Sequence, residues 1–374
     1  GPGNMAPRCE IRFDDNPQGV YHGGQTLSGS VELCLEKPKL VNDFRLVISG
    51  CAEVKWTEGS GKNRKTYSGK EELLRAETYL IPQSDGNSEI PAGIHVYNFV
   101  SPIPTQVPTS FEGKHGKIRY TVQAILDRPW KFDQTSTAAF TVLKPSDLNQ
   151  HLLTLKECRR EKLTKTFCCW PCKSDPLYVE VEIPMTGYVP GQKMPITVAL
   201  NNTSNVPVLG IKSKLKRKVS YISQRPREKT RIVHENLTNT WKDVKNDEPA
   251  QYIQELQIPS VAPTGKCSVL VIDYYVQVKV YVDGCYKIPE IEIPIIIGTI
   301  PIATSATTVR TNANQIGWSN ELQPPAAHES PASDDMIPPS YEEAMNGMAV
   351  NINEPNAIGF QAFIPMYPVN NVEK

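Results

Sequence analysis

One motif occurs twice in this chain, at a fixed distance. Tyr21 to Leu33 reads YHGGQTLSGSVEL and Tyr188 to Leu200 reads YVPGQKMPITVAL, so Y-x-x-G-Q-x(5)-V-x-L recurs at an offset of 167 residues. A second echo follows in the same order. VPTS then IRYTVQ (from Val107, and Ile118 to Gln123) answers APTG then IDYYVQ (from Ala262, and Ile272 to Gln277), with spacings that agree within one residue. A period this long marks a duplicated domain and not a solenoid unit. The chain therefore folds as two copies of one architecture.

Each copy reads as β-structure. In LSGSVELCL, Leu27, Val31, Leu33 and Leu35 fall on one face, with Ser28, Ser30, Glu32 and Cys34 on the other, which is the period of a half-buried strand. DFRLVISGCAEVKW, IHVYNFV, TAAFTVL, LYVEVEI, YIQELQI and SVLVIDYYVQVKVYV continue the pattern, and Gly and Pro punctuate it at strand spacing. Short strands with regular turns predict β-sandwiches. Only Ser146 to Cys158, capped by Ser146 or Asp147, offers a helix, and its place between the repeats suits a linker equally well.

The 374 residues carry 40 basic and 40 acidic side chains, so overall charge demands no nucleic acid. Nine cysteines, an odd number irregularly spaced, predict reduced thiols and a cytoplasmic protein. The residues GPGN ahead of Met5 read as a remnant of expression and not as a leader, and the longest apolar run, Ile291 to Ile302, is too short to span a bilayer. From about Pro301 the character changes. Residues 301–374 hold nine prolines, eight acidic and two basic residues and no cysteine, a composition that predicts a tail without a packed core.

The G-Q turn heading each copy, the junction KTFCCWPCKSDPLYVEVEIPMTGYVPGQ (Lys165 to Gln192) and a proline-rich tail with P-P-x-Y together resemble the α-arrestins, the arrestin-domain-containing proteins. The resemblance implies an all-β chain of two tandem immunoglobulin-like sandwiches, at 8–147 and 175–300, joined by a linker at 148–174 and followed by a disordered tail at 301–374. It also implies a non-enzymatic adaptor without a cofactor. The family's body engages membrane receptors and transporters, and its tail recruits WW-domain HECT ubiquitin ligases, so that cargo is ubiquitinated, endocytosed and sorted. Such a protein works in the cytoplasm and is recruited to plasma membrane and endosomes. The alternative is a retromer-type endosomal scaffold that holds membrane through a basic surface.

Pro338, Pro339 and Tyr341 fit that expectation physically. Adjacent prolines pre-set a polyproline II stretch with little entropy left to lose, and a WW groove takes such rings between aromatics while Tyr341 fills a neighbouring pocket. IPMYP, with Pro365 and Tyr367 but no proline doublet, is a candidate second, weaker site.

The strongest charge feature is IKSKLKRKVSYISQRPREKTRIV (Ile211 to Val233). Lys212, Lys214, Lys216 and Lys218 point one way on a strand, and with Arg217, Arg225, Arg227, Lys229 and Arg231 they make nine cations against Glu228 alone. A basic hairpin edge is predicted, read either as a solvated lysine face guarding an edge strand or as a site for anionic phospholipid or phosphorylated cargo. No nucleic-acid motif accompanies the charge.

CCWPC (Cys168 to Cys172) with Cys158 offers four thiols in fifteen residues, open to plain packing at the domain junction, lipidation or metal; a single C-x-x-C without a partner pair is a weak metal signal, and no metal ligand is assigned. WTEGSGKN (Trp56 to Asn63) lacks the first glycine and the Ser/Thr of a P-loop and reads as a hairpin tip. The histidines show no metalloprotease spacing, no G-x-S-x-G elbow occurs, and no catalytic residue is predicted. Ser330 and Ser333, ahead of the P-P-x-Y, are candidate phosphorylation sites.

Overall fold

A computed structural model describes residues 7–14, 16, 18–84, 88–169, 172–245, 248–303 and 363–370. The first half holds β1 (Arg8–Phe13), β2 (Val20–His22), β3 (Thr26–Leu35), β4 (Lys39–Val41), β5 (Asp43–Glu58) and β6 (Lys65–Ile81). It continues with β7 (Ser88–Ile90), β8 (Gly93–Pro102), β9 (Phe111–Gly113), β10 (Gly116–Asp127) and β11 (Gln134–Leu143). The second half holds β12 (Arg159–Lys165), β13 (Cys168–Cys169), β14 (Cys172–Lys173), β15 (Leu177–Ile183), β16 (Gly187–Tyr188) and β17 (Lys193–Asn202). It ends with β18 (Val208–Ser223), β19 (Lys229–Asp243), β20 (Ala250–Gln257), β21 (Gly265–Lys266), β22 (Leu270–Val282) and β23 (Glu290–Ile297).

The two halves repeat one sandwich. In the first, a sheet ordered β1-β3-β8 faces one ordered β2-β11-β10-β5-β6, with β9 added to β10. In the second, β12-β15-β17-β20 faces β16-β23-β22-β18-β19, with β21 added to β22. The predicted alternation holds: Leu27, Val31, Leu33 and Leu35 of β3 are buried, and Ser28, Ser30, Glu32 and Cys34 lie on the other, partly exposed face.

The duplicated motif has a mechanical reason. Gln25 accepts the His22 amide on its side-chain oxygen at 2.8 Å, and Gln192 accepts the Val189 amide at 2.9 Å. Each closes a turn whose glycine, Gly24 or Gly191, sits at φ 92° or 96°, a conformation that a Cβ disfavours. Tyr21 and Tyr188, which begin the motif, are both buried. The Pro-Thr echo is equally structural: Thr109 Oγ1 accepts the Lys144 amide and Thr264 Oγ1 the Ile297 amide, each at 2.9 Å.

The sandwiches meet through their longest hairpins. Ser68 on β6 donates its amide to the Arg225 carbonyl at 2.9 Å, and its own carbonyl accepts the Gln224 and Arg225 amides at 2.8 and 2.9 Å. This bridge needs Gly69, because a Cβ there would lie 2.8 Å from the Ile222 carbonyl oxygen. Ser268 donates backbone and hydroxyl to Glu71 at 2.7 and 2.6 Å, and Lys229 pairs with Glu58, which also accepts the Trp56 indole. WTEGSGKN is thus a hairpin tip held against the other domain.

One expectation needs correction. The segment 148–174 is more than a linker: Asp147 caps a short helical turn by accepting the Asn149 amide, and β12 then pairs along β15 as an edge of the second domain. β12 is hard to see in sequence because its outward Arg160 and Lys162 are matched by Glu182 and Glu180 on β15, leaving a short, highly charged strand. Of the tail predicted from 301 onward, residues 301–303 and 363–370 are described. Residues 363–370 pack on the body across both domains.

Candidate functional site

The seam between the domains is closed by that returning segment. Phe363 is 5% exposed, packed on Ala139 of β11, with the Arg119 guanidinium 5.9 Å from its ring centroid. Met366 donates its amide to Thr141 Oγ1 at 3.2 Å, and the Tyr367 phenol donates to the Ser110 carbonyl at 2.7 Å. These anchors lie in the first domain. The remainder lie in the second: Ser260 Oγ donates to the Tyr367 carbonyl at 2.6 Å, and Asn370 donates its amide to the Pro190 carbonyl at 2.9 Å. Eight residues therefore strap one sandwich to the other.

Charge lies beneath the strap. Arg119 pairs with Glu112 at 2.7 Å, and burial still pushes the Glu112 carboxyl above its ordinary pKa. Arg217, from the second domain, pairs with Glu235 at 2.7 Å and lies 5.1 Å from the centroid of Phe111 in the first. The Tyr367 phenol is driven up strongly by burial and stays protonated, as a donor must.

The basic run divides in two. Lys212, Lys214, Lys216 and Lys218 share the outer face of β18, and Lys279 of β22 joins them directly opposite Lys212. Burial, then the neighbouring charges of Lys212, Lys279 and Lys216, lower the pKa of Lys214. Acidic groups share the face: Glu290 holds Lys279 at 3.1 Å, and Asp273 stands opposite Lys218. β18 lies inside its sheet, between β22 and β19, so the lysines guard no edge, contrary to the edge reading. The other cations leave that surface. Arg217 turns inward to Glu235, and Lys229 is spent on Glu58 and the Tyr67 ring at 5.0 Å. Arg225 and Arg227 are exposed at the hairpin tip, where the Arg225 backbone joins Ser68, and Arg231 follows on β19.

Comparison with known proteins agrees with this geometry. Residues 9–149 match the family model described as Arrestin (or S-antigen), N-terminal domain, and residues 173–302 match Arrestin (or S-antigen), C-terminal domain. The chain belongs to the arrestin family. Its relatives are the arrestin-domain-containing, or α-arrestin, members. Arrestin domain-containing protein 17 of Caenorhabditis elegans is 32% identical over 353 residues, spanning 87% of this chain and 78% of that one. Arrestin domain-containing protein 4 of Mus musculus is 26% identical over 366 residues, 92% of this chain and 84% of that one. Arrestin domain-containing protein 1 of the same animal is 28% identical over 298 residues, 78% and 64%. Membership carries a general adaptor role in trafficking.

On this arrestin body the predicted residues fare differently. Pro338, Pro339 and Tyr341, with Ser330 and Ser333, lie outside the described residues. Pro365 and Tyr367, read as a second ligase site, sit in the strap, where Pro365 is buried and both the phenol and the carbonyl of Tyr367 are engaged. A WW groove and the arrestin seam cannot hold that ring at once. Cys168 is exposed on the small β13–β14 hairpin, and Phe167 beside it is buried against Tyr286 with ring centroids 5.0 Å apart. Sequence reasoning missed the strap as a structural element. The available signal was the apolar cluster Phe363, Ile364, Met366, Tyr367 and Val369 within eight residues of a proline-rich tail.

Proposed function

We propose that the protein is an adaptor that holds membrane-protein cargo with its arrestin body and recruits a WW-domain HECT ubiquitin ligase through Pro338, Pro339 and Tyr341. The observation that carries the reading is the P-P-S-Y sequence itself, placed in a chain of this family. A proline doublet is pre-organised for an aromatic groove, and a dissociation constant of about 1 µM is worth about −8 kcal/mol, which suits a transient complex. The strap supports the division of labour. With Phe363 fixed on the body, the motif is tethered about twenty residues upstream of an anchor, within roughly 70 Å of it. A bound ligase is thereby kept close to whatever the body holds.

The basic cluster Lys212, Lys214, Lys216 and Lys218, extended by Lys279, supports the second reading, a scaffold that holds anionic membrane or phosphorylated cargo. The two readings are separated in cells by cargo ubiquitination. The adaptor reading predicts that Tyr341→Ala abolishes cargo ubiquitination while cargo co-precipitation persists. Undiminished ubiquitination with Tyr341→Ala overturns it and leaves the scaffold.

A further inference from the structure

The β10–β11 turn has an unusual composition. Its residues are Arg128, Pro129, Trp130, Lys131, Phe132 and Asp133. Trp130 is 103% exposed and Phe132 86%, the two most exposed aromatic rings among the described residues. Burying large aromatics is among the strongest drives in folding, so two bare rings in one turn call for a reason.

The backbone sharpens the point. Trp130 has φ 59°, and it is the one residue other than glycine with positive φ among the described residues. A β-turn with Pro129 and Trp130 at its centre suits glycine or asparagine in the second place, because a bulky side chain there is disfavoured. The turn is nevertheless held firmly. The Lys131 amide reaches the Arg128 carbonyl at 3.3 Å, and the Arg128 guanidinium donates to the Phe132 carbonyl at 2.9 Å, closing the turn on itself. The loop is built to hold its rings in solvent.

Its neighbours are basic and apolar. Asn42 ties the β4–β5 corner to the base of the turn, donating backbone and side chain to Asp127 at 2.9 and 2.8 Å, and this brings Lys37, Lys39 and the half-exposed Leu40 alongside. Lys39 feels the group directly: burial first, then Lys131, Arg128 and Lys37, lower its pKa. The acidic residues at the base, Asp43, Asp127, Asp133 and Glu77, gather instead around Arg45, at 2.7, 4.0, 3.6 and 3.7 Å. Glu36 and Glu89 lie on the flanking segments, Glu89 facing Leu40 across the β4–β7 ladder.

We infer that this tip is a membrane-insertion element, in which Trp130 and Phe132 enter the interfacial layer of an anionic bilayer while Lys37, Lys39 and Lys131 meet lipid phosphates. A tryptophan is at home at the boundary of headgroups and acyl chains, and basic side chains beside it add attraction to negative lipid. Both rings already stand almost wholly in solvent, so inserting them gives up little packing. The inference stands on the first domain alone, so its failure and the failure of the ligase reading are distinguishable.

The test is sedimentation of the full chain with vesicles of phosphatidylcholine containing about one third phosphatidylserine, compared with phosphatidylcholine alone, using Trp130→Gly and Phe132→Ser. Glycine relieves the positive φ, so Trp130→Gly keeps or raises the thermal midpoint, and lost binding cannot be laid to misfolding. The expected result is binding to the anionic vesicles that falls at least ten-fold in either variant, with tryptophan quenching by bromine-labelled acyl chains falling in Trp130→Gly. Charge reversal of Lys214 and Lys216 serves as the comparison surface. Binding unchanged in both tip variants, or lost only when Lys214 and Lys216 are reversed, overturns the inference. So does a chain that ignores vesicles but needs Trp130 for a soluble protein complex, which assigns the tip to a protein pocket.

Discussion

Tyr367 donates its phenol to the carbonyl of Ser110, 2.7 Å away and 257 residues earlier in the chain. The carbonyl of the same tyrosine accepts Ser260 from the other domain at 2.6 Å. One residue near the end of the sequence therefore reads the relative placement of two sandwiches. Whatever turns one domain against the other must break or carry this contact, and whatever captures Tyr367 must first release it.

Tyr367→Phe removes one hydrogen bond and leaves the Ser110 carbonyl unpaired, at a cost of about 1–3 kcal/mol. Tyr367→Ala also removes a largely enclosed ring, and about 2–4 kcal/mol is expected, below the cost of a fully buried aromatic. Thermal unfolding measures both. A variant series with no loss of stability means that the strap does not hold the seam.

The glycines of the duplicated turn give a differential test. Both Gly24→Ala and Gly191→Ala place a Cβ at positive φ, costing about 1–2 kcal/mol each. Only at Gly191 does that Cβ fall 2.4 Å from the Asn370 carbonyl oxygen, whereas at Gly24 it meets a Thr105 methyl at 3.0 Å. Limited proteolysis is expected to cut residues 363–370 faster in Gly191→Ala and not in Gly24→Ala. Equal cutting in both contradicts the docked strap.

The contrast between those turns also shows what the sequence could reveal. The repeat was legible because each Gln must accept the amide three residues before it and each Tyr must be buried, so the residues recur wherever the turn recurs. The outward lysines of β18 were legible by parity, whereas Arg217, counted with them, turns to Glu235 instead. The strap was not. Its apolar residues acquire meaning only against Ala139, Thr141, Ser110 and Ser260, surfaces that folding brings together from both halves. That β18 lies inside its sheet was hidden for the same reason: which strands flank it is decided by pairing far along the chain.

His115 is expected to make the seam sensitive to acid. Its ring stands edge-on to Tyr221 of the other domain at 5.5 Å, and burial, with Arg231 and Lys114, holds its pKa below the ordinary value. The unfolded chain then takes up the proton first, so stability falls as pH drops through the ordinary histidine range near 6.5. His115→Gln is expected to flatten the decline between pH 7 and pH 5.5 in denaturant titrations. An unchanged slope removes His115 from the seam.

Thiol chemistry should follow burial. Burial pushes the Cys9 thiol up to about 12 and Cys51 to about 11, so at pH 8 on the order of one Cys9 in ten thousand is ionised. Cys168 and Cys285 are exposed. Iodoacetamide followed by mass spectrometry is expected to modify Cys168 and Cys285 well before Cys9 and Cys51, and early labelling of Cys9 would show a looser first domain.

Under the proposed function the tail motif, and not the strap, recruits the ligase. Calorimetric titration of the full chain with an isolated WW domain tests it most directly. Binding near 1 µM is expected, weakened at least a hundred-fold, about 2.7 kcal/mol, by Tyr341→Ala and left in place by Tyr367→Ala. Unaltered affinity in Tyr341→Ala, or affinity lost only in Tyr367→Ala, contradicts it.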